Sequence, residues 1–270
     1  MNIKNKHKFV YSHAKKFLDE VVSKNPNLNN SILEEHLEHK SKFDDISDAN
    51  RRLIESLQNR WGMSNIIKFG DNEKDFSKIL FEYNHIEILN NYKNADDLLD
   101  KFKLKFDMQN SHGKRSLWRT FSEGVIDGSK FMASFKIKED FDCFVETFAN
   151  THHKKYTKAA LPMLLAREIK GVGFALACDF LKELGYRDYA KPDVHLKKIF
   201  NALGLSLSDD YEVYKSIIEM SEAVNEDAYR VDKIFWLIGS GNFNLVKIDI
   251  GSNRDEFIEK VKADLAKNLF

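Results

Sequence analysis

Three features of the 270-residue chain predict an all-α fold. Twelve glycines and three prolines leave little room for a turn-rich all-β architecture. Apolar residues recur at helical spacing through nearly every segment. Polar Asn-, Asp- and Gly-containing breaks separate those segments and mark about ten to thirteen helices, at a mean helix length of about 11–12 residues. At this length the chain forms one large domain or two interlocked lobes.

Taken in order, Phe9, Val10, Ala14, Phe17, Leu18 and Val21 place a first helix over 3–24. The run NPNLNNS ends it, and one or two charged amphipathic helices follow over 31–61. GDNEKDFSKILFEYN starts another, with Asp71 and Asn72 as caps. A further helix covers roughly 94–106, and the polar connection MQNSHGKRS is the first lobe boundary. The chain is thereby divided into an N-terminal helical region, 1–110, of unassigned role and a core, 111–270. Aromatic content rises from Leu117 through Trp118, Phe121, Phe131, Phe135, Phe141, Phe144 and Phe148. NTHHKKYTK is a second break. Helices near 194–203, 209–224, 226–238 and 253–268 complete the pattern, with GSGNFN as a polar segment before the last.

The charge balance is neutral, with 42 Lys+Arg against 42 Asp+Glu, so global charge carries no nucleic-acid signal. Its distribution does. Residues 150–200 hold ten Lys or Arg and five acids, whereas 206–232 hold eight acids and two bases. Cys143 and Cys178 read as reduced core thiols. Two cysteines cannot supply a four-thiolate zinc or iron–sulfur site. No apolar run approaches the roughly 18 residues of a membrane span, and MNIKNKHKFVYSHAKKF lacks a signal-peptide core. A cytoplasmic, nucleoid-associated monomer without membrane contact is the expectation.

The most informative stretch is IKGVGFALACDFLKELGYRDYAKPDVHLKKIF, 169–200. A helix with Ala160, Leu161, Leu164, Leu165 and Ile169 on one face meets Lys170-Gly171-Val172-Gly173, and helical spacing resumes at Phe174. Gly185 is suited to close the second helix in the left-handed conformation. Glycines let backbone approach a ligand closely, and N–H groups at a helix start suit an anion such as phosphate. An ordinary helical hairpin is the competing reading. Asp193 follows Pro192 at the start of the next helix. Locally it is a cap, stabilised by the helix dipole, or a carboxylate used in chemistry; both readings stand at this point.

The joint pattern, I-K-G-V-G-F-A-L-A and then P-D-V-H-L, resembles the helix-hairpin-helix (HhH-GPD) DNA glycosylases, the superfamily of endonuclease III, 3-methyladenine glycosylase II and the 8-oxoguanine glycosylases. The detailed match covers 160–204, with a looser one at VDKIFWLIGSG, 231–241. The resemblance implies a two-lobed helical bundle with its DNA-binding hairpin at 157–185. It implies double-stranded DNA as partner, a flipped base, and Asp193 as the carboxylate that stabilises an oxocarbenium-like sugar and orients water. Lys170, Gly171, Val172, Gly173, Ala175 and His195 are the implied DNA-binding set, His195 mainly by holding its turn. No cofactor or iron–sulfur cluster is required, and a monovalent cation at the hairpin carbonyls is allowed. Where bifunctional members carry a Schiff-base lysine, this chain has Ala175. The expected enzyme is therefore monofunctional and leaves an abasic site. The usual proline before G-V-G is Lys170 here.

Trp118, Phe121, Trp236 and Phe243 are candidates for stacking on the flipped base or wedging the duplex, with polar groups near Arg115-Ser116-Leu117-Trp118-Arg119 and Gly239–Asn244. The excised base is open between damaged, alkylated and hypermodified classes, hence between repair and phage defence. Two other functions compete: a non-catalytic helix-hairpin-helix DNA-binding module, and a helical protein adaptor.

Overall fold

The computed structural model describes residues 1–38, 42–60, 62–106, 108, 116–149 and 154–267. Arg115, His152, His153 and most of the predicted boundary at 108–116 lie outside the described residues. The protein is all-α. Among the described residues fifteen α-helices account for nearly all regular structure, with one pair of two-residue strands. The excess over the predicted helices comes from pieces too short to show a period, such as Ser64–Ile67 and His85–Asn91.

The chain forms two compact units, each assembled from separated segments: Met1–Lys40, His153–Ala159 and Tyr186–Phe270 in one, Ser41–His152 and Ala160–Gly185 in the other. The division drawn at 110 from the sequence falls inside the second unit.

The first unit contains α1 (Ile3–Lys24) and α2 (Asn30–Glu38). The second holds α3 (Ile46–Leu57), α4 (Ser64–Ile67), α5 (Glu73–Ile79), α6 (His85–Asn91), α7 (Ala95–Lys105), α8 (Leu117–Met132) and α9 (Lys138–Ala149). α10 (Lys154–Glu168) begins in the first unit and ends in the second, which also holds α11 (Phe174–Glu183). The first unit then resumes with α12 (Val194–Ala202), α13 (Asp210–Val224), α14 (Ala228–Ser240), the strands β1 (Asn242–Phe243) and β2 (Ile248–Asp249), and α15 (Arg254–Lys267). The strands pair antiparallel, Asn242 opposite Asp249. A two-residue strand leaves no alternation to read from sequence.

Helix starts follow capping chemistry. Asn2, Asp45, Asn84, Asn94, Ser116, Asp193, Asp209 and Asp227 each accept a main-chain N–H from the first turn of the helix they precede. The predicted cap at Asn72 does not form: the residue precedes α5 without a side-chain capping bond, and its side-chain amide donates instead to Ile67 O at 3.2 Å. Of the two cysteines, Cys178 is buried as predicted, but Cys143 is exposed. The apolar period of α9 buries Phe141, Val145 and Ala149 and turns position 143 outward.

α8 is central to the second unit, packed by α3, α6 and α7. Gly124 and Gly128 let α3 approach: a Cβ on Gly128 would meet Leu53 at 2.7 Å, and one on Gly124 would meet Leu57 at 2.8 Å and Lys170 O at 2.6 Å. In the first unit α14 touches α1, α2, α12, α13 and α15. Phe235 on α14 packs edge-on to Phe200 at 5.1 Å, and Phe257 of α15 lies 5.4 Å from Phe17 of α1. This arrangement fixes α12 and α14 side by side.

Three histidines are held neutral by burial. His36 on α2 has one ring nitrogen 2.8 Å from Ile32 O, and the other accepts the Leu245 N–H at 3.2 Å. A neutral ring with hydrogen on Nδ1 satisfies both. Burial pushes His36, His7 and His85 below the ordinary 6.5. The unfolded chain therefore takes up protons before the folded one does. The stability these groups contribute is complete above 6.5 and is lost as pH falls below it, towards their lowered folded values. Urea midpoints are expected to be lower at about pH 5.5 than at about pH 7.5, and His36→Gln, which keeps an acceptor without a titrating ring, narrows the difference.

Candidate active site

The predicted hairpin is present as two helices joined through Ile169–Gly173. α10 ends at Glu168, Gly171 adopts φ +85°, the Val172 N–H donates to Ile169 O at 3.2 Å, and α11 begins at Phe174. The left-handed φ at Gly171 explains the first glycine of the G-V-G run. Gly173 is extended at φ −95°, so its value is space rather than handedness: a Cβ there would meet nothing within 4 Å. Val172 is buried, anchoring the turn, while Lys170 and Gly173 are exposed and Ala175 is half-buried. Gly173, which precedes α11, has no side chain with which to cap it, and the positive end of the helix dipole lies at this turn. Gly185 takes φ +99°, as the closing residue of the second helix.

Around the turn the structure adds residues that sequence spacing could not supply. The Lys170 N–H donates to Asp127 on α8 at 3.2 Å. A Cβ on Gly171 would meet Thr120 at 3.2 Å and the Arg60 guanidinium at 3.7 Å. An open cavity of about 340 Å³ beside it is lined by Lys93, Lys130, Lys170, Glu123 and Asp127.

The basic patch is smaller than the sequence suggests. Lys155 pairs with Glu219, Lys158 with Asp188, Lys182 with Asp179, Arg187 with Asp227 and Lys197 with Asp210. The acidic segment 206–232 supplies three of these partners. Arg167 and Lys170 are exposed at the turn itself.

Asp193 lies in the first unit. Its Oδ1 accepts the His195 N–H at 2.8 Å and the Leu196 N–H at 3.1 Å, so it caps α12. Its own N–H donates to Lys191 O at 2.8 Å. The side chain is half-buried, with Val194 beside it exposed. The helix start was expected to keep this carboxylate readily ionised. The structure reverses the balance: burial, and then the charge of Asp232, push Asp193 above its ordinary 3.8, outweighing the Leu196 N–H, His195 and Lys191. Asp232 is the residue sequence reasoning missed. It lies on α14, is 1 % exposed, and accepts the Lys191 N–H at 2.7 Å. Nothing in the local sequence connects positions 193 and 232; only the packing of α12 on α14 does.

His195 holds its turn by a main-chain rather than a ring bond. Its Nδ1 is buried without a hydrogen-bond partner, and its ring packs on Gly239 of α14, where a Cβ would come within 2.5 Å of the His195 Cβ.

The aromatic candidates separate. Trp118 and Phe121 are buried in the second unit's cluster, where Trp118 stacks on Phe106 at 5.2 Å and Phe121 meets Phe76 edge-on at 5.7 Å. Phe243 is fully buried against His36, ring centroids 5.3 Å apart. These three are core side chains and offer no face for a base. Trp118 and Phe121 lie on a helix, as their spacing predicted; burial could not be told from stacking use by residue type. Trp236 alone is half-buried. It sits one turn beyond Asp232 and shares a face of α14 with Asp232 and Gly239, and Lys233 Nζ lies 4.8 Å from its ring.

Comparison with known protein families, with characterised proteins and with solved structures finds no match to this chain. The functional reading therefore rests on the residues and their geometry. Among the described residues no group of three or more His, Cys, Asp or Glu side chains is placed to hold a metal ion, and no helix is long and apolar enough to cross a membrane.

Proposed function

We propose that the protein is a monofunctional DNA glycosylase of the helix-hairpin-helix class, acting on a damaged or modified base in double-stranded DNA and leaving an abasic site. One observation carries the catalytic part of this reading: Asp193 is a half-buried carboxylate whose ionised form is opposed by burial and by a second carboxylate, Asp232. The Asp232 charge that opposes a second negative charge favours a positive charge developing nearby. That is the property needed to stabilise an oxocarbenium-like sugar. Perturbed carboxylates of this kind concentrate at functional sites.

In this reading the Lys170–Gly173 turn, at the start of α11, receives a DNA phosphate. Arg167 and Lys170 add charge. The Asp193 carboxylate stabilises the sugar as the base departs and orients the attacking water. Trp236 is the stacking face for the extruded base. Ala175 provides no amine, so once the base has left, water rather than an amine adds to the anomeric carbon, giving the abasic site without a Schiff base. Of the carbonyls to which a monovalent cation could bind, Ile169 O already accepts a hydrogen bond and Lys170 O faces Gly124. No step depends on such an ion.

The test is incubation with duplexes bearing damaged, alkylated and hypermodified bases, with free base read by mass spectrometry. Base release, with strand breaks only after alkali, is expected. Breaks without alkali would assign the work to a lysine. No release from any duplex, with binding retained, would favour a DNA-binding module.

A further inference from the structure

We infer that Asp232 is the positioning residue for Asp193, its buried carboxylate gripping the Lys191–Asp193 turn from α14. This rests on the reading of Asp193 as the catalytic carboxylate.

The geometry is a relay of main-chain bonds. The Lys191 N–H donates to Asp232 Oδ2 at 2.7 Å, and the Asp193 N–H donates to Lys191 O at 2.8 Å. Asp193 then turns its carboxylate back to accept the His195 and Leu196 N–H groups. Pro192, itself buried, stiffens the middle of this turn. One side chain on α14 thus fixes the residue two positions before Asp193, while Gly239 on the same face of α14 seats the residue two positions after it, His195. Both ends of the turn are held by one helix.

The Lys191 N–H needs an acceptor, and a buried carboxylate is a costly one. Asparagine or a main-chain carbonyl would accept it without charge. The charge has a second consequence, because Asp232 acts electrostatically on Asp193. The groups bearing on Asp193 are Asp232 from α14, His195 and the Leu196 amide from α12, and Lys191 from the turn. Among them Asp232 alone opposes ionisation. The same residue therefore sets both the place of the carboxylate and the readiness of its charge to meet a cation.

Two variants separate these roles. Asp232→Asn keeps an acceptor for the Lys191 N–H and removes the charge. Asp232→Leu removes both. Carbon-13 NMR of labelled Asp carboxyls, with Asp193 assigned by its loss in Asp193→Asn, needs no substrate. In Asp232→Asn the Asp193 titration midpoint is expected to move down, and the Lys191 amide stays protected from hydrogen exchange. In Asp232→Leu that protection is lost. In the base-release assay the acidic limb of the pH–rate profile moves down in Asp232→Asn, and the rate falls about 10²-fold in Asp232→Leu at every pH. An unmoved midpoint in Asp232→Asn, or a Lys191 amide as protected in Asp232→Leu as in wild type, overturns the assignment. A wild type that releases no base would overturn the glycosylase reading instead, and the NMR results would still decide Asp232.

Discussion

Asp193→Asn is expected to lower base release by about 10²–10⁴-fold, to leave duplex affinity unchanged, and to raise the melting temperature at neutral pH. On the glycosylase proposal, the first effect follows from removing the charge that meets the developing sugar cation. The second follows because that proposal assigns DNA contact to the Lys170–Gly173 turn and its neighbours, not to Asp193. The third is a matter of sign. Asp193 holds its proton more tightly folded than unfolded, since burial and Asp232 raise it above 3.8. Its favourable contribution is present at low pH and is lost as pH rises through the raised value. At neutral pH, above the ordinary value, the titrating side chain therefore weakens the fold. Asparagine keeps an oxygen for the His195 and Leu196 N–H groups and drops the charge. A variant that loses turnover and becomes less stable would mean that the cap had been broken, and the catalytic assignment would lose its support. A scanning calorimetry trace beside the turnover assay separates the two.

Gly241→Ala is expected to destabilise the protein by about 3 kcal/mol or more. Gly241 closes α14 at φ +71°, in the left-handed region, and accepts the Ile250 N–H at 2.9 Å. A Cβ there would sit 1.8 Å from Gly251 O. That contact is backbone on both sides, so no side-chain rotation relieves it. The turn joining α14 to α15 would have to open, carrying with it the helix that holds Asp232 and Gly239. Urea unfolding would read the loss. A midpoint within experimental error of wild type would show that the close crossing of the two glycines is not required.

Much of this arrangement is legible in the sequence because it is local. α1 over 3–24, the start of α7 at Asn94, the G-V-G turn and the cap at Asp193 all follow from period and punctuation within a few residues. What escaped is non-local. Asp232 becomes part of the site only because α12 lies on α14. Arg60, Thr120 and Asp127 reach the hairpin only because α3 and α8 cross at Gly124. The basic patch looked free because its partners are elsewhere in the chain, as with Lys155 and Glu219 or Lys197 and Asp210. The aromatic candidates failed for a related reason: Trp118, Phe121 and Phe243 carry the same local signal whether they face a base or the interior, and 21 phenylalanines make the interior the common destination.

The interleaving of the two units has a kinetic meaning. α1 is buried chiefly against α13 and α14, so its apolar stripe, with Val10, Ala14 and Phe17, must wait through synthesis of everything between Lys24 and Asp210 before it finds its partners. Most of the second unit is made in that interval and can collapse first. The first unit has to close a very long loop, which slows folding and leaves a sticky helix exposed on the nascent chain. Asp193 and Asp232 both belong to this late-closing unit. An incomplete chain would then carry a formed hairpin before it carried the carboxylate pair; on the glycosylase proposal, DNA binding would mature ahead of base excision.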